Sequence, residues 1–136
     1  MKKILFLCTH NAARSQMAEG LINARYSDRY NAYSAGNEPT DVHPCAVEAM
    51  AEVGIDISAQ RVKFLDEFTD ASFDYVVTMC ADAAENCPIF PGGVEYLEHA
   101  FPDPVTAKSD EHDQCRPFRE VRDEISAWIE ATFGHK

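Results

Sequence analysis

The chain opens on a short run of bulky apolar residues, Ile4-Leu5-Phe6-Leu7, behind Met1-Lys2-Lys3. Consecutive apolar residues of this kind fit a strand buried on both faces. From Met17 the spacing changes. Met17, Ala18, Leu21, Ile22 and Ala24 mark one helical face, with Glu19, Asn23 and Arg25 off it. A strand therefore stops at Cys8, a tight loop follows, and a helix starts near Arg14. Asn31 to Gly36 reads as a second strand ending in a turn, and residues 37–41 as loop with Pro39 as a breaker. Pro44 to Val53 is a helix with Pro44 in its first turn and Gly54 just past its end. Ala46, Val47, Ala49, Met50 and Val53 supply its apolar stripe. Ser58 is placed to cap a short helix, and Phe64, Leu65 and Phe68 continue in helical spacing. Phe73 to Met79, rich in β-branched and aromatic residues, is the third strand. Ala81 to Asn86 holds good helix formers ahead of Pro88. Glu95 to Ala100 reads as a short fourth strand at an edge. In Phe101-Pro102-Asp103-Pro104, prolines fix φ on both sides of an acid. Phe118, Val121, Ile125, Trp128, Ile129 and Phe133 form a last amphipathic helix.

A length of 136 residues suits one domain with one core, taken here as residues 1–136. No apolar run reaches membrane-spanning length and no secretory signal stands at the N-terminus, so a cytoplasmic location is expected. Twelve basic residues against 23 acidic ones give a net charge of -11. That argues against nucleic acid or an anionic membrane surface as partner. It also means that any anion must be captured locally, against an unfavourable overall field. The odd set Cys8, Cys45, Cys80, Cys87 and Cys115 speaks against a structural disulfide framework. Cys80 and Cys87 are spaced more widely than a zinc knuckle, so no metal is expected.

The chemistry concentrates in Cys8-Thr9-His10-Asn11-Ala12-Ala13-Arg14-Ser15. Between a strand end and a helix start, loop and first-turn N–H groups lack internal partners and carry partial positive charge. Such a loop cradles a tetrahedral oxyanion. The same field stabilises a thiolate at Cys8. Arg14 adds a planar, bidentate donor, and the Ser15 hydroxyl can donate to the sulfur. Asn11 is the residue best able to take a left-handed conformation, since the loop has no glycine.

The stretch CTHNAARSQMAEG, followed by Tyr33-Ser34-Ala35-Gly36, resembles the low-molecular-weight protein tyrosine phosphatase superfamily, and within it the thioredoxin-coupled arsenate reductases. The resemblance runs from Lys3 to about Phe133. It implies an α/β fold: a single domain with a four-stranded parallel open sheet and helices on both faces. It implies reduction of arsenate to arsenite, with phosphate or sulfate as competing anions, by a protein expected to act as a monomer. Cys8 would be the nucleophile, with Arg14 clamping the oxyanion in the loop from Thr9 to Ser15. Asp103 would be the general acid, and Cys80 and Cys87 the resolving pair whose disulfide thioredoxin reduces. If strands one and three are neighbours, Cys8 and Cys80 face the same crevice. A regular helix would hold Cys80 and Cys87 about 10 Å apart along its axis, whereas a disulfide needs Cα atoms within roughly 7 Å. The segment between them is thus a candidate redox switch that must unwind to pair its ends.

The resemblance also implies that Ser34 supports the loop by holding Asn11. In some relatives a potassium ion sits by the residues matching Asn11, Glu19 and Ser34 and by an acid whose place Lys63 takes here. Lys63 pairing with Glu19 would remove any need for potassium. Ala13 stands where many phosphatases of this fold carry a second Cys, so the redox burden falls on Cys80 and Cys87. Cys45 and Cys115 read as idle thiols. The alternative function is a phosphatase acting through a phosphocysteine at Cys8. It is weakened by Val105 after Asp103-Pro104, where such phosphatases usually carry an aromatic residue.

Overall fold

The computed structural model describes residues 1–80, 88–105 and 113–134. Its strands are β1 (Lys2–Leu7), β2 (Tyr30–Ala35), β3 (Phe73–Thr78) and β4 (Gly93–Glu98). Its α-helices are α1 (Arg14–Arg25), α2 (Pro44–Ala51) and α3 (Arg116–Phe133), and Leu65–Phe68 is a short 3-10 helix. The sheet is parallel throughout, in the order β2-β1-β3-β4.

The central place of β1 explains its sequence. With a neighbour on each edge and layers on both faces, Ile4 to Leu7 are fully buried. Ile4 and Phe6 point into a core shared with α1, α2 and α3, where α3 packs against both other helices. Leu5 and Leu7 face the opposite layer, an aromatic cluster of Tyr33, Phe68, Phe73 and Phe90 in edge-on contacts beside the 3-10 helix. On the helical side Trp128 packs edge-on against Phe101 and Phe133, which makes it core packing.

Element boundaries depart from the expected ones where the apolar pattern is thin. β4 starts two residues earlier than its hydropathy suggests, and its side chains are half to fully exposed. α2 ends at Ala51, and Gly54 takes φ 80 beyond it. Ser58 begins no helix. Its N–H and hydroxyl both donate to Asp56 Oδ1, closing a side-chain turn instead. That bonding holds the Asp56 carboxyl below its ordinary pKa. The proposed switch helix, residues 81–86, and Cys87 lie outside the described residues. Among the described residues, no helix is long and apolar enough to cross a membrane.

The register decides where chemistry can occur. Leu7 pairs with Thr78, so β1 and β3 end side by side. From β1 the chain crosses one way to β2, and β3 then returns to the other side. The crevice at such a reversal lies at the C-terminal ends of the strands. Cys8 and Cys80 both follow strands that end there.

Candidate active site

The loop after β1 is shaped mainly by main-chain bonds. Glu38 N–H donates to the carbonyl of Thr9 at 3.0 Å, Thr40 N–H to His10 at 3.1 Å, and His43 N–H to Ala12 at 2.9 Å. Residues 38–43 thus draw three loop carbonyls outward. In a trans peptide the following N–H points the opposite way, so those of His10, Asn11 and Ala13 turn into the hollow. Asn11 takes φ 54, the left-handed conformation the curve requires. At the start of α1, Ala13 supplies no side-chain cap; the first turn of a helix is where N–H groups can meet an anion.

Side chains then lock this shape. Cys8 is a free thiol, buried, with Sγ 2.8 Å from Ser15 Oγ. Asn11 Nδ2 donates to Ser15 Oγ at 2.7 Å, which leaves the serine hydroxyl to donate to sulfur. Asn11 Oδ1 accepts from Gln16 Nε2 at 2.9 Å and from Lys63 N–H at 2.8 Å.

Arg14 is 3% exposed, and its Nη1 donates to the carbonyls of Met79 and Phe101 at 3.2 and 3.1 Å. These bonds join the end of β3 and the acid-bearing loop to the anion loop through one guanidinium. Its Nη2 lies 3.8 Å from Asp103 Oδ2. Asp103 is mostly buried, and its Oδ1 accepts from Val105 N–H at 3.0 Å. Cys8, His10, Ala12, Ala13, Arg14, Asp103 and Val105 line one small cleft. The structure therefore brings Cys8, the loop, Arg14 and Asp103 together. Cys80 stands beside the loop, with Sγ 4.0 Å from Thr9 Oγ1, and is disulfide-bonded.

Behind the loop lies a buried ion pair. Lys63 Nζ sits 3.2 Å from Glu19 Oε1 and donates to Arg61 O at 2.9 Å. Ser34 Oγ donates to Glu19 Oε1 at 2.8 Å. Ser34 thus acts on Glu19 and not directly on Asn11, the partner suggested by resemblance. Asn11 is held instead by Gln16 and the main chain of Lys63. Among the described residues, no cluster of three or more His, Cys, Asp or Glu could hold a metal ion.

One expectation is overturned. Cys45 and Cys115, read as idle thiols, form a disulfide with Cα atoms 5.0 Å apart across 70 residues of sequence. Each sits at a helix start, Cys45 within the first turn of α2 and Cys115 directly before α3. Packing of those helices brings the two together, a relation no spacing in the chain encodes. Gln16 was also missed. It is fully buried in the first turn of α1 and links Asn11 to Arg61 O, while Gln60 donates to it. Its only sequence signal is a polar residue beside the apolar face.

Comparison with known proteins gives a consistent result. The family model described as low molecular weight phosphotyrosine protein phosphatase matches residues 3–133. An arsenate reductase of Bacillus subtilis is 46% identical over 124 residues, covering 91% of this chain and 89% of that protein. A solved arsenate reductase in a phosphate-binding state superposes with a TM-score of 0.84 at 30% identity, covering 99% of this chain and 98% of the other. A thioredoxin-dependent arsenate reductase of Corynebacterium glutamicum gives a TM-score of 0.74 at 30% identity, covering 99% of this chain and 61% of that one.

Proposed function

This chain belongs to the low molecular weight phosphotyrosine protein phosphatase family, and from that premise we propose that it reduces arsenate to arsenite with electrons from a thioredoxin-like dithiol. The observation that carries the reading is Cys80 Sγ, 4.0 Å from Thr9 Oγ1 beside the anion loop and engaged in a disulfide. A phosphatase needs only the buried thiol, the cradle and the acid. A second redox-active sulfur beside the anion loop is what a reductase adds.

Arsenate enters the loop from Thr9 to Ser15, its oxygens held by inward N–H groups and Arg14. The Cys8 thiolate attacks arsenic, and Asp103 protonates the departing oxygen, which leaves as water. Cys80 then attacks Sγ of Cys8. The sulfur–arsenic bond breaks, its electron pair stays on arsenic, and arsenite departs. Cys87 displaces Cys8 from Cys80, leaving a Cys80–Cys87 disulfide. The external dithiol reduces that bond and becomes a disulfide itself. Electrons and sulfurs balance over the cycle.

Two features support turnover in a reducing cytoplasm without potassium. Lys63 Nζ lies 3.2 Å from Glu19 Oε1, which supports activity without the cation of some relatives. Ser15 and Asn11 hold Cys8 without a second loop thiol. The deciding experiment follows NADPH loss with arsenate, thioredoxin and thioredoxin reductase, for wild type, Cys80→Ser and Cys87→Ser. A reductase loses arsenate turnover in both variants. Variants that keep it, or a wild type that hydrolyses aryl phosphates but consumes no NADPH with arsenate, would refute the reading.

A further inference from the structure

We propose that Cys45 and Cys115 are a second thiol–disulfide site, separate from the relay, whose redox state sets how tightly the anion loop grips its oxyanion. The bond joins the first turn of α2 to the start of α3. Cys45 is buried, at 8% exposure, and Cys115 is only partly buried. Neither sulfur lines the cleft that holds Cys8 and Asp103.

His43 connects this bond to the cleft through three contacts. Its Nδ1 accepts from Cys45 N–H at 3.1 Å. Its ring stacks on Phe118, in the first turn of α3, with centroids 4.5 Å apart. Its own N–H donates to Ala12 O at 2.9 Å. The first two contacts reach the two helices that the disulfide ties together. The third turns the Ala12 carbonyl outward and so aims Ala13 N–H into the cleft. His43 is a positioning residue, and it sits correctly only while the starts of α2 and α3 stay in register. Opening the disulfide leaves packing and the bonds of Arg122 to Ala49 O and Glu52, at the other end of α2, to keep that register, and the Ala13 donor loosens.

The chemistry needs a dithiol protein of the thioredoxin class. Its thiolate attacks Sγ of Cys115, the more exposed residue of the pair. The sulfur–sulfur bond breaks, and its electron pair leaves on Cys45, in the first turn of α2, where N–H groups favour negative charge. The second thiol of the reductant then displaces Cys115 from the mixed disulfide. The reductant ends as a disulfide, and the pair, after taking up two protons, as two thiols. Glutathione disulfide reverses the change by the same exchange, ending as two glutathione thiols.

The test uses the full chain carrying Cys80→Ser and Cys87→Ser, in which the proposed pair is left to cycle while Cys8 stays a single thiol. The protein is equilibrated in mixtures of reduced and oxidised dithiothreitol, whose mixed disulfides cyclise away and leave Cys8 free. Alkylated thiols are located by peptide mass, and inorganic phosphate affinity is measured by calorimetry. Cys45 and Cys115 should become reactive together, in one two-electron step. Phosphate should bind about threefold to tenfold more weakly after reduction, the factor set by loss of one neutral hydrogen bond. Adding Cys45→Ser and Cys115→Ser should give the weaker affinity in every buffer. Cysteines that label independently, equal affinity across the buffers, or a quadruple variant that still follows the buffer would each overturn the proposal. The central comparison is made on one polypeptide in different buffers, so any effect of its two substitutions is common to both sides. It involves no arsenate, so its outcome is separable from that of the reductase reading.

Discussion

Gly36→Ala is the sharpest probe of how β2 supports the anion loop. An added Cβ would lie 2.5 Å from Thr9 O, 2.7 Å from Cys8 O and 3.1 Å from Asn11 N. Carbon and oxygen in ordinary close contact sit about 3.3–3.6 Å apart, so something must move by roughly 1 Å. Gly36 cannot easily retreat. Its N–H donates to Lys63 O and its carbonyl accepts from Leu65 N–H, both at 3.0 Å, in a bridge with Phe64. The loop around Cys8 must therefore give way. Overpacking of this kind costs about 1–3 kcal/mol of stability. A shift of about 1 Å in catalytic geometry costs roughly a hundredfold in rate. We expect kcat/KM for arsenate, in the NADPH-coupled assay at 25 °C, to fall by about that factor, with a modestly lowered Tm. Gly54→Ala is the control. Its φ of 80 makes alanine strained, yet no atom lies within 4 Å of the added carbon. That variant should lose about 1–2 kcal/mol while keeping wild-type kcat/KM. A Gly36→Ala enzyme that works within twofold of wild type would show that the loop yields without catalytic loss, and the steric argument would fail.

Other perturbations test separate parts of the site. Asp103→Asn should lower kcat by about 10²–10⁴-fold yet still bind inorganic phosphate, because the cradle is main chain and Arg14; calorimetry beside kinetics separates the two effects. Lys63→Met removes the cation beside buried Glu19 and should cost about 3–5 kcal/mol in urea unfolding. Potassium should restore part of that loss in the variant, while wild-type activity stays the same in potassium and sodium at constant ionic strength. Clear potassium stimulation of wild type would contradict the role given to Lys63. Reduction of the Cys45–Cys115 bond, which closes a 70-residue separation, should lower unfolding free energy by about 4 kcal/mol. Urea titrations with and without dithiothreitol, on the variant carrying Cys80→Ser and Cys87→Ser, read this directly.

Much of the molecule is written locally in the chain. Four bulky residues followed by Cys8, and a helical stripe from Met17, establish strand, loop and helix. Together they predict an anion site, because unpaired N–H groups at a strand-to-helix turn follow from backbone connectivity alone. Arg14 and Ser15 are suggested for the same reason, since both stand where such a loop meets its helix; Asp103 is singled out by the family resemblance. β4 was misplaced by two residues because an exposed edge strand carries little hydrophobic alternation. What tertiary structure decided is of another kind. Residues 38–43 turn the loop carbonyls outward by main-chain bonds, which depend on no side chain and leave no mark in composition. Gln16 and Lys63 are ordinary polar residues until folding buries them against Asn11 and Glu19. Cys45 and Cys115 became a pair only when α2 and α3 packed at their first turns. Local sequence encodes conformations and chemical types; it does not encode which distant main-chain groups and thiols meet, because that is set by the burial of all the apolar faces at once.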